Sequence, residues 1–149
     1  MSKNELKLQR QICISVRSEG GYALKLNNRF SVGVPDLLIA LPPYPIIVAE
    51  VKDMGEVSDS FDRQIGVTPK QVLELERMSK PYEIAKKGAR AVILVGLKHR
   101  GEYRLVINPR YVDTLNYKYE DHPDIWVARQ AGTYYNIGYL LEKGLDAWL

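Results

Sequence analysis

An α/β domain, with a mixed β-sheet flanked by helices, is the fold class that three features of the chain predict. Leu8, Ile12 and Val16 recur at four-residue spacing near the N-terminus and make one apolar helical stripe. Apolar runs of strand length follow: VPDLLIAL (34–41), IIVAEVK (46–52) and RAVILVGL (90–97). Between the last two, TPKQVLELERMS from Thr68 opens like a helix. A helix, several strands, a helix and further strands make the order of a layered α/β domain.

Residues 4–18, NELKLQRQICISVRS, read as the first helix, stopped by Gly20 and Gly21. YALKLNN (22–28) alternates as a strand does. The runs at 34–41 and 46–52 are joined by PPYP, which reads as a hairpin with a slightly long turn. DMGEVSDSFDRQIGV (53–67) has little periodicity and reads as an acidic loop. Thr68 suits the N-cap of the next helix and Pro69 its first position. Pro81 is expected to start a separate helical piece, PYEIAKKGA, closed near Gly88. RAVILVGL is a buried strand, and EYRLVI (102–107) pairs with it through KHRG. Residues 108–149 are rich in tyrosine, hold both tryptophans and end in a last predicted helix, NIGYLLEKGLDAWL. This extension packs on the core of residues 1–107 or forms a dimer interface.

Composition narrows the function classes. The 149 residues suit one domain with a core of useful size. No apolar run is long enough to span a bilayer, and MSKNELKLQRQ lacks the apolar centre of a signal peptide. A cytoplasmic location is expected. The single cysteine, Cys13, excludes an intrachain disulfide and a cysteine-built zinc site. A formal net charge of +3 is compatible with nucleic acid as a partner. There is no P-loop, no dinucleotide glycine pattern and no serine or cysteine set beside a histidine, so no small-molecule cofactor is expected.

Charged residues inside the apolar runs carry the functional signal. On the strand 46–52, Glu50 and Lys52 share a face with Ile46 and Val48. On its hairpin partner, Asp36 shares a face with Leu38 and Ala40. The hairpin brings Asp36 and Glu50 together near one end of the sheet. Two close carboxylates repel and raise each other's pKa, and a divalent cation lets both stay charged. Oxygen ligands of this kind suit magnesium or manganese. Lys52 adds a positive charge that positions an attacking water or stabilises charge on a phosphate. Glu5 lies on the stripe of Leu8, Ile12 and Val16, and Gln71 on an inward stripe with Leu75 and Met78. Both are polar residues on faces that point inward, and both need a partner.

PD, thirteen residues, then EVK resembles the signature of the PD-(D/E)XK nucleases. Glu5 on an N-terminal helix, GVPDLL, AEVK and TPKQ, in that order, are similar to the virus-type replication-repair nuclease domain, VRR-NUC, which shares its core with Holliday-junction resolvases. The resemblance covers residues 4–107. It implies a restriction-endonuclease-like core and a magnesium- or manganese-dependent DNA endonuclease acting on branched or duplex DNA in phage-type replication, recombination or repair. It also implies a homodimer. Asp36, Glu50 and the Val51 backbone carbonyl would be metal ligands, with Glu5 binding directly or through water. Lys52 would act on the nucleophilic water, and Gln71 would orient that water or Lys52.

Two features depart from the family pattern. Residues 53–67 exceed the expected link and carry Asp53, Glu56, Asp59 and Asp62, which suggests a flap at the rim of a cleft. The extension 108–149 has no counterpart. Candidate phosphate contacts are Lys3, Lys7, Arg10 and Arg17 on the first helix, Lys25 and Arg29 near the site, and Lys98, His99 and Arg100. The competing reading is a nucleic-acid-binding or assembly protein of nuclease fold with weak or absent catalysis.

Overall fold

The computed structural model describes residues 3–26, 33–58, 66–108, 126–130 and 134–145. In chain order these form α1 (Lys3–Ser18), β1 (Tyr22–Lys25), β2 (Leu37–Ala40), β3 (Ile47–Val57), α2 (Pro69–Ala85), β4 (Arg90–His99), β5 (Glu102–Asn108), β6 (Trp126–Ala128) and α3 (Ile137–Gly144). The six strands make one mixed sheet in the order β1-β2-β3-β4-β5-β6. Of the strand pairs, only β3 and β4 run parallel. Parallel neighbours need a crossover, and α2 is that crossover.

Strand alternation sends two sets of side chains to opposite faces. Ile47, Ala49, Val51, Val92 and Leu94 join Leu8, Ile12 and Val16 of α1 and Ile137, Leu140 and Leu141 of α3 in one core. Val48, Ile93, Val95 and Leu97 face α2, where Leu75 is buried, and Trp126 joins them. Ser79 Oγ accepts the Ala91 N–H at 3.0 Å, which ties α2 to the start of β4. Gly96 lets α1 come close, because a Cβ there would run into Leu8. α3 is tied to α1 by main-chain donors: Ile137 N–H and Gly138 N–H reach Glu19 Oε2 and Oε1 at 2.8 and 3.0 Å, and Tyr135 N–H reaches Ser15 Oγ at 3.0 Å.

Three expectations need correction. The stretch 53–67 does not begin as a loop: β3 continues to Val57, pairing Glu56 with Lys98 and Val57 with His99 after a register shift beyond Asp53. Gly55, at φ 68°, sits in that shift, and pairing with β4 outweighs the broken alternation. Pro81 does not start a second helix. It lies inside α2 at an exposed position, where water can satisfy the carbonyl it leaves unbonded. A sixth strand, β6, pairs with β5 and extends the sheet into the region beyond residue 107. Residues 59–65, the centre of the expected flap, lie outside the described residues. No described helix is long and apolar enough to cross a membrane.

Candidate active site

The end of the hairpin holds the central contact. Leu37 stands opposite Ala49 and Leu38 opposite Val48. Asp36 N–H donates at 2.9 Å to the carbonyl of Ala49, the residue already opposite Leu37, so regular pairing ends at Leu37. There β2 stops and β3 runs on. The Val51 N–H, next along β3, is taken by the Asp36 side chain, Oδ2 at 2.8 Å. Asp36 therefore closes the fork between the two strands with its carboxylate where a backbone carbonyl would otherwise serve.

Glu50 is held from the α2 side. The start of α2 is a capping box: Thr68 Oγ1 accepts from Gln71 N–H at 3.2 Å, and Gln71 Oε1 accepts from Thr68 N–H at 2.9 Å. With its oxygen committed to the cap, the Gln71 amide presents its nitrogen to Glu50, donating to Oε1 at 2.9 Å. Lys52 Nζ stands 3.8 Å from the same oxygen. The other oxygen, Oε2, is buried and has no hydrogen-bond partner.

Asp36 and Glu50 are each only 4% exposed. Burial raises the Asp36 carboxyl above its ordinary range, opposed by the Val51 N–H and by Lys52. Glu50 is pushed up to about 8, first by burial and then by the charge of Asp36; Lys52 pulls the other way and Glu5 adds to the rise. Two facing acceptors of this kind need a proton or a cation between them. The orphaned Glu50 Oε2, on a carboxylate that feels the charge of Asp36, fits a hard divalent cation by its chemistry. Among the described residues, however, no group of three acidic, histidine or cysteine side chains stands close enough to hold a metal ion. Glu5 is half-buried on α1, and its charge adds to the rise of Glu50.

The structure thus brings together Asp36, Glu50, Lys52 and Gln71, with Val51 between the acid and the lysine. The basic residues are spread more widely. Lys3, Lys7 and Arg10 are exposed on α1. Lys25 shares the face of Ala23, which packs in the α1 core, so it lies across the sheet from the carboxylate pair. The Arg17 guanidinium donates to Ala23 O at 3.1 Å. His99 is 1% exposed and packs edge-on against Trp126, too buried to meet a phosphate. Arg29 lies outside the described residues.

Sequence reasoning missed a cleft on the α1 face, where Tyr103, Arg129 and Tyr135 meet Lys7 and Lys98. No local signal could have found it, because its walls come from five separate segments. No family model matches this chain, and no curated protein matches it.

Proposed function

We propose that this chain is a divalent-metal-dependent endonuclease of the PD-(D/E)XK type, hydrolysing phosphodiester bonds in branched or duplex DNA. The observation that carries the reading is the buried, mutually repelling pair Asp36 and Glu50 at the end of the hairpin, with Lys52 and Gln71 on the Glu50 carboxylate. Asp36, Glu50 and the Val51 carbonyl would hold the ion, with Glu5 contributing through water. When bound, the ion would lower the pKa of a water and neutralise charge on the phosphate. Lys52 supplies a positive charge beside the attacked phosphorus, and its three donors can hold a water by its lone pair. Gln71, its amide oriented by the cap, keeps Glu50 Oε1 in place and leaves Oε2 for the ion. Working as a homodimer would set two such sites on one DNA.

A second reading has one observation in its favour. The lack of a third converging acid among the described residues suits a nucleic-acid-binding protein of this fold with weak catalysis. One assay separates the two. Purified protein is incubated with magnesium or manganese and duplex, flap and four-way junction DNA. The nuclease reading expects cleavage that falls by roughly a hundredfold or more in Asp36→Ala, Glu50→Ala and Lys52→Ala. Binding without cleavage in either metal selects the second reading, and loss of both activities removes both readings.

A further inference from the structure

The cleft on the α1 face is separate from the carboxylate pair, because the sheet stands between them. It has a volume of about 230 Å³ and opens between the first turns of α1, the shifted part of β3, and the end of β4. It also adjoins the candidate site along the chain: Asp53 follows Lys52 and Asn4 precedes Glu5.

Its lining has a definite chemistry. Lys7, Lys98 and Arg129 bring three cations, against the two carboxylates of Asp53 and Glu56. Asp53 is already engaged by the Gly55 N–H at 2.6 Å, within the register shift. Two of the cations flank one aromatic ring: Lys98 Nζ lies 5.6 Å and Arg129 Cζ 5.8 Å from the centroid of Tyr103. Tyr103 is 50% exposed, with both cations over its ring. Tyr135 is buried, and burial pushes its hydroxyl up to about 12, so it remains a donor at neutral pH. Asn4 and Gln11 add amide groups to the wall.

We propose that this cleft binds one unpaired nucleotide, its base against Tyr103 and its phosphate among Lys7, Lys98 and Arg129. The volume exceeds what a phosphate alone needs. An exposed ring suits the flat face of any base, and amides with a carboxylate suit its polar edge. The cations suit a phosphate oxygen, to which a charge-assisted hydrogen bond is stronger than a neutral one. Placing that nucleotide in a DNA strand rests on the nuclease reading above; its capture as a free mononucleotide does not.

The test has two arms. In the first, protein in EDTA is titrated with deoxynucleoside monophosphates, deoxynucleosides and inorganic phosphate, followed by saturation-transfer NMR. The monophosphates should bind, with the nucleoside and the phosphate each weaker by roughly tenfold or more. Lys98→Ala and Tyr103→Ala should each weaken the monophosphate by roughly tenfold without changing the melting temperature, since neither side chain lies in the core. No monophosphate binding by wild type, or equal binding by both variants, overturns the proposal. In the second arm, metal-dependent cleavage of plain duplex is compared with duplex carrying one unpaired nucleotide. Wild type should prefer the latter, and Tyr103→Ala should lose the preference while still cutting plain duplex. Mononucleotide binding without cleavage of any DNA keeps the pocket and removes the nuclease reading. Cleavage with no mononucleotide binding does the reverse.

Discussion

Glu50 has two oxygens in two different situations. Oε1 receives the Gln71 amide and lies near Lys52, while Oε2 is buried with no donor. Burial, and then the charge of Asp36, push Glu50 up to about 8, so without a cation the folded protein keeps a proton there at neutral pH. The sign of the stability effect follows from linkage. A carboxyl raised above its unfolded value contributes stability that is complete below the unfolded pKa and is lost as pH rises through the folded one. The metal-free protein should therefore melt at lower temperature as pH climbs from about 5, near the ordinary carboxyl value, to beyond about 8. Magnesium or manganese should restore the melting temperature at the upper end and do little at the lower, because the ion competes with the proton. Thermal melts in EDTA and in metal across that range check this. A melting temperature that stays level in EDTA would count against the protonated pair.

At the level of elements, α2 and the candidate site share a bond. The Gln71 amide belongs to the capping box and to Glu50 at once. Thr68→Ala removes the hydroxyl that accepts the Gln71 N–H and should cost about 1 kcal/mol of stability. It should lower cleavage by no more than that loss explains, because the main-chain N–H of residue 68 still donates to Gln71 Oε1. Serine at the same position should restore the stability; denaturant unfolding and single-turnover cleavage measure the two effects. This part of the site was legible in the sequence, because TPKQ is a capping signature and because period-two alternation gives Glu50 and Lys52 one face, with Asp36 brought near once PPYP closes a hairpin. Other parts were hidden for physical reasons. Gly55 and the acids around it disrupt alternation, so nothing local announces that β3 reaches Val57. β6 is three residues long, too short for a period. The cleft of Tyr103, Arg129 and Tyr135 exists only after β4, β5 and β6 are side by side.

The whole molecule is a sheet with unequal faces: α1 and α3 cover one, α2 the other. The far end of the chain is locked to its beginning through Glu19, whose two oxygens accept the first free N–H groups of α3. Glu19→Ala should cost about 1–2 kcal/mol, read as a lower denaturant midpoint with an unchanged slope. An unchanged midpoint would mean that α3 docks by its apolar side alone. The fork at Asp36 has a consequence for the molecule as a whole. β2 begins at Leu37, while β3 continues to Val57, and among the described residues no strand pairs with β3 on that side beyond Ala49. The Asp36 carboxylate therefore does a strand's work at that point by holding the Val51 N–H. Replacing Asp36 would unpair a main-chain amide as well as remove a charge, so its effects on folding and on the site arrive together.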